Sequence, residues 1–197
     1  MWGNMSIYAL SYMHQFDDQL TIGIVLAVFP VTLTTAALSM QLAVVLMDHL
    51  THKQLILIGT TIYSLGVFIS VFFVNSFPLF LFFFSFVGGL GFGLTYVSPL
   101  KLCWEYFPNK KGTITGIINS GFSTGGIVYS FLSKDLINPN NQEPNKLLII
   151  GGVPENMYKE DSEIVANFQK SLRTISLIII SMMLVGNLIV YQKTSSK

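Results

Sequence analysis

Five stretches of this 197-residue chain run for 18 residues or more without a single Asp, Glu, Lys or Arg: 20–47, 55–74, 77–100, 112–132 and 174–191. A helix needs roughly 20 predominantly apolar residues to cross the hydrocarbon core of a bilayer. No soluble fold of this size can hide five such segments. Composition agrees: 51% of the residues are hydrophobic and 11% charged, against about 25% charged in ordinary globular domains. The expected fold class is an all-α membrane protein, multi-pass and integral.

A sixth segment, Met1 to Phe16, has no charged residue apart from His14 but is only 16 residues long. It reads as the second half of a transmembrane helix whose beginning is missing, or as a short interfacial segment. It lacks the basic start and small-residue cleavage site of a signal peptide. Residues 1–132 then hold five transmembrane helices, the first partial. A long loop follows over 133–173, a sixth helix over 174–192, and a tail over 193–197. Pro30 predicts a kink in the second helix.

Charge placement suggests an orientation. With six crossings, one side carries Lys53, Lys101, Lys110, Lys111, Lys193 and Lys197 against Asp48 and Glu105. The short connections opposite carry Asp17 and Asp18 and no basic residue. The Lys-bearing side is the expected inner side. The loop over 133–173 falls outside, and is far longer than most connections. Ile164, Val165, Phe168 and Leu172 recur at helical spacing within it, so 160–172 is either part of a surface loop or a short amphipathic helix.

Ionisable side chains inside membrane segments usually mark function, and here they are almost absent. That argues against a proton relay, a buried charge pair or a metal site built from these residues. His49 and His52, with Asp48, suit a solvated loop better than a zinc site. Cys103 is the sole cysteine and reads as a small apolar filler. No nucleophile–base pair, phosphate loop or dinucleotide fingerprint occurs. The sequence calls for no cofactor and no enzymatic activity, and a net charge of +1 gives no reason to expect nucleic acid.

What remains is helix geometry. In the 112–132 helix, Gly112, Gly116, Asn119, Ser123 and Gly126 fall within about 80° on a helical wheel. Gly121 and Gly125 lie opposite, with Ile114 and Ile118. Small residues let membrane helices approach closely, so the stripe is either a helix–helix seam or, at Asn119 and Ser123, the wall of a polar path. Gly89 and Gly93 repeat the device one helix earlier, followed by Tyr96 and Ser98, whose polar groups need partners in hydrocarbon. Asn4, Tyr8 and Tyr12 make the first segment too polar to face lipid; it suits a bundle interior or cavity wall.

Four places resemble the major facilitator superfamily, and within it the oxalate/formate antiporter-like and monocarboxylate-porter-like members. Trp2-Gly3-Asn4-Met5-Ser6-Ile7-Tyr8 looks like the later part of that family's first helix. Met47–Lys53 occupies the place of its loop between helices two and three. Tyr106-Phe107-Pro108-Asn109-Lys110-Lys111-Gly112 looks like the connection between helices four and five. Gly121-Phe122-Ser123-Thr124-Gly125-Gly126 is similar to a helix-five glycine element, with Phe122 where Pro is usual.

The resemblance implies one six-helix half of a twelve-helix carrier for small organic anions, with the substrate held between halves. Asn4, Tyr8, Tyr96, Asn119 and Ser123 would line the path, and Asp48 and Lys53 would form a conformational latch in a loop that lacks the family's usual glycine and arginines. The cationic groups that hold a carboxylate lie, in such carriers, in the second half. Two jobs fit: a half-length carrier working with a second half, or a degenerate half serving as a structural accessory subunit of a larger membrane complex. Expected partners are the bilayer, a second half or other membrane subunits, and a small carboxylate.

Overall fold

The computed structural model describes residues 2–150 and 153–189. Six helices form the bundle: α1 (Trp2–Met13), α2 (Ile22–Leu46), α3 (His52–Phe73), α4 (Phe77–Tyr106), α5 (Lys111–Ile137) and α6 (Glu163–Ile189). Between α5 and α6 lies an antiparallel hairpin of β1 (Lys146–Ile150) and β2 (Val153–Met157), with Leu148 opposite Glu155. By length and composition α2, α3, α4 and α6 can cross a membrane.

Local chemistry sets the helix ends. Thr51 and Gln54 form a reciprocal capping box at the start of α3, which satisfies two amide N–H groups that the first turn leaves open. Thr21 caps α2 by accepting from the Ile24 N–H. A kink is expected at Pro30; the irregularity seen in α2 sits at Ala27, where the helical pattern breaks. Pro30 has no N–H to give to the carbonyl one turn earlier, so the break falls N-terminal to the proline. In α4 the aromatic run Leu81–Val87 widens into π-helical geometry.

Helix α4 packs against α2 and α3, while α6 lies across α1, α3 and α5. The α2–α4 contact depends on missing side chains. A Cβ on Gly89 would stand 2.9 Å from the Thr32 carbonyl, and one on Gly93 would collide with Ala36 and Ser39. Ser39 uses the same proximity to donate to the Leu90 carbonyl at 2.5 Å. On the other side of α4, Gly91 abuts the Tyr63 backbone of α3.

Helix α1 spans 12 residues, about 18 Å, and is embedded in the bundle. Met5, Ala9, Leu10 and Met13 are buried, together with Val25 and Val28 of α2, Phe80 of α4 and Phe168 of α6. Trp2 is buried as well: it stacks on Phe80 and donates its indole N–H to the Val25 carbonyl at 3.0 Å. A smaller cluster of Ala43, Leu55 and Leu94 closes the Lys-bearing end.

The segment expected as a long loop over 133–173 is largely ordered structure. Helix α5 continues to Ile137, the hairpin occupies 146–157, and α6 begins at Glu163. Residues 163–173 are therefore the first turns of one continuous helix rather than a separate surface helix. Neither Gly nor Pro interrupts 163–185, so nothing stops the helix. The expected stripe of Ile164, Val165, Phe168 and Leu172 is buried, and Ile175 and Ile179 extend it. The expected tail 193–197, and the last residues of the sixth expected segment, lie outside the described residues.

Candidate functional site: a polar seam along α5

Helix α5 meets α4, α1 and the outer loop in succession. Nearest the Lys-bearing end, the Tyr96 hydroxyl donates to Asn119 Oδ1 at 2.7 Å, joining α4 to α5. Eleven residues on, about 17 Å along the helix, Asn4 Nδ2 donates to Ser130 Oγ at 2.6 Å, joining α1 to α5. At its C-terminal end Asn138 caps α5. Its Nδ2 donates to the Gln142 carbonyl at 2.8 Å and lies 3.5 Å from the Tyr8 and 3.4 Å from the Tyr158 hydroxyl oxygens. Four of the five expected path residues thus sit on this seam. The fifth, Ser123, is exposed on α5 between the first two bonds.

Tyr96 also lines a cavity of about 210 Å³ among α3, α4, α5 and α6, with Tyr63, Phe92, Thr95, Ile118 and Phe122 in its wall. The cavity is smaller than the roughly 300–1,000 Å³ of drug-sized ligand sites, and its wall is mainly aromatic and aliphatic. Ser98, two residues after Tyr96, has a buried hydroxyl with no hydrogen-bond partner among the described residues. A larger cleft of about 520 Å³ opens at the end opposite the Lys-bearing one, between His14, Asp18, Gln19 and β1. None of the path residues lines it.

The glycines of α5 behave differently from those of α4. At Gly112, Gly116, Gly121, Gly125 and Gly126 an added Cβ meets nothing within 4 Å. Among the described residues α5 packs through Thr115, Ile118, Phe122 and Tyr129 instead. The glycine faces are open.

Asp48 and Lys53 are exposed at the ends of the α2–α3 loop. At the same corner His52 Nε2 lies 3.1 Å from Glu105 Oε1, tying the start of α3 to the end of α4. Sequence reasoning left His52 as a solvated loop residue. Its side chain is only 15% exposed.

The outer loop is also part of this architecture, which sequence reasoning did not anticipate. Tyr158 stacks on Tyr8 at 5.5 Å, and its backbone N–H donates to Ser11 Oγ at 3.0 Å. Burial, first, and the neighbouring Tyr8 push the Tyr158 phenol up to about 12. Glu155, 5% exposed, accepts the Ile22 N–H at the start of α2 at 3.1 Å; a helix N-terminus favours a carboxylate. Lys146 donates to Glu160 at 2.8 Å, and that bond and charge hold the Glu160 carboxyl below its ordinary range.

The family model of the Major Facilitator Superfamily matches residues 1–138. The chain is 32% identical to apicoplast pyruvate carrier 1 of Toxoplasma gondii over 109 residues, which is 55% of this chain and 20% of that protein. It is 33% identical to monocarboxylate transporter 9 of Gallus gallus over 92 residues, 47% of this chain and 18% of the relative. The Rattus norvegicus monocarboxylate transporter 9 is 35% identical over 79 residues, 40% of this chain and 15% of that protein. The matched region spans a fifth or less of these relatives, and no solved structure matches. A multi-pass bundle with interlocked glycines between α2 and α4, matched by the family model over more than half its length, belongs to the Major Facilitator Superfamily of membrane transporters.

Proposed function

We propose that this chain contributes one six-helix half of a carrier for small monocarboxylates, working against a second half. The observation that carries the reading is the Tyr96–Asn119 bond at the edge of the small cavity. With Asn119 Oδ1 occupied by the tyrosine, its NH₂ group is left to donate to a carboxylate oxygen. The surrounding Phe92, Ile118 and Phe122 suit a short carbon chain. Relatives named for pyruvate and monocarboxylate transport support the same substrate class.

The open glycine faces of α5 support the need for a second half. Gly112, Gly116 and Gly126 on one side, and Gly121 and Gly125 on the other, leave backbone exposed where another helix can approach closely. In this reading Asp48 and Lys53 act at the Lys-bearing end as part of the moving corner, beside the His52–Glu105 pair. An accessory-subunit role would also cover these faces, but the similarity to named carriers favours transport.

The test is uptake of labelled pyruvate or lactate into proteoliposomes holding the chain with the membrane proteins that copurify with it. The reading predicts saturable uptake that Asn119→Ala lowers at least several-fold. Complete carrier assemblies that move no monocarboxylate would sink it.

A further inference from the structure

We propose that the corner between α4 and α5 binds the headgroup of an anionic phospholipid on the Lys-bearing side. The chain leaves α4 at Tyr106, turns through Pro108–Lys110 and enters α5 at Lys111. Lys110 and Lys111 are both exposed. Phe107, 52% exposed, projects from the same turn.

The corner is held in shape from within. The Trp104 indole donates to Thr115 Oγ1 at 3.1 Å, and the Thr115 hydroxyl donates to the Lys111 carbonyl at 2.8 Å. Lys111 Nζ rides 6.0 Å above the Trp104 ring, within range of a cation–π contact. The acidic side chain of this stretch, Glu105, is turned to His52. Between Lys101 and Gly112 three lysines face one carboxylate, so the corner is a cationic patch.

Its chemistry fits a lipid rather than a soluble phosphate compound. Aromatic side chains settle at the level of the headgroups, and lysines there reach the phosphates of the anionic leaflet, each contributing about fivefold in binding. A soluble anion would gain from Lys110 and Lys111 but not from an exposed Phe107 between the ends of two apolar helices. The inference rests on membrane insertion of the chain and not on transport.

Trp104 is itself a reporter. With Trp2→Phe it becomes the sole tryptophan of the chain, which has two. The protein is reconstituted in phosphatidylcholine bilayers containing either brominated phosphatidylglycerol or brominated phosphatidylcholine. The expected result is Trp104 quenching at a severalfold lower mole fraction of the anionic lipid, a preference that Lys110→Gln with Lys111→Gln abolishes. Inorganic phosphate should not relieve the quenching.

Equal quenching by the two lipids, a preference that survives the double substitution, or relief by phosphate would each overturn the proposal. Because Trp2 is a core residue, the second measurement uses its natural form. Native mass spectrometry should find anionic lipid retained on the wild-type chain and lost from Lys110→Gln/Lys111→Gln. Equal retention on both overturns the site.

Discussion

The Tyr96 hydroxyl and Asn119 Oδ1 meet at 2.7 Å between α4 and α5, beside the apolar wall of Phe92, Ile118 and Phe122. Hydrogen bonds between membrane helices contribute about 0.6 kcal/mol on average. Tyr96→Phe should therefore leave the bundle folded, with a thermal midpoint only slightly lowered. If the Asn119 amide is oriented by Tyr96 toward substrate, the same substitution should lower pyruvate uptake far more than it lowers stability. Parallel loss of both would reduce the pair to a packing contact.

The glycines of α4 and α5 should respond in opposite ways to alanine. Gly93→Ala places a methyl group against Ala36 and Ser39 of α2, and overpacking of this kind costs about 1–3 kcal/mol. Gly116→Ala meets nothing within 4 Å and gains about 1 kcal/mol of helix propensity. Thermal unfolding of the purified chain in detergent should show the first variant destabilised and the second unchanged or stabilised. If a second half packs on the glycine face of α5, Gly116→Leu should weaken its association, measured by copurification. Undiminished copurification would remove α5 from that interface.

The hairpin should detach when its anchor to α2 is cut. Glu155→Ala leaves the half-buried Ile22 N–H without its carboxylate partner, and a hydrogen bond to a charged group contributes about 1.5–3 kcal/mol. Glu155→Gln keeps an acceptor oxygen and should restore most of the contact. Hydrogen exchange over 139–162 reads this directly: faster exchange is expected in the alanine variant and near-native exchange in the glutamine variant. Identical protection in all three proteins would mean that the hairpin is held by its other contacts, Met157 in the core and the Tyr158–Ser11 bond, without Glu155.

Much of this architecture is legible in the sequence because bilayer length and glycine spacing are strong physical signals. The charge-free runs locate α2, α3, α4 and the later part of α6, and Gly89 and Gly93 mark the α2–α4 contact. The wheel position of Asn119 was informative, but its partner could not be read, because a hydrogen bond between helices leaves no sequence period. The α5 glycines share the spacing of those in α4, yet a Cβ at any of them meets nothing within 4 Å among the described residues. Spacing records that a close approach is possible, and not which helix makes it. The hairpin was missed although Leu147–Ile150 followed by Gly151-Gly152 is a hairpin signal. The Thr51–Gln54 capping box was equally available. His52 was misread because Glu105 lies 53 residues away.

Alkaline pH should loosen the outer loop. The Tyr158 phenol is raised from 10.0 to about 12, mainly by burial. A folded value above the unfolded one means that its contribution is fully present below about pH 10 and is lost as the pH rises toward 12. Ionisation would put a phenolate beside Tyr8 and against the Gln142 carbonyl, to which the neutral hydroxyl donates at 2.9 Å. Ultraviolet titration at the phenolate band should therefore show a late-titrating tyrosine that disappears in Tyr158→Phe. Hydrogen exchange over 139–162 in the wild type should rise beyond its intrinsic pH dependence in the same window, and Tyr158→Phe should blunt that rise. If Tyr158→Phe instead removes amplitude near pH 10 and leaves the late phase intact, Tyr158 titrates in contact with water.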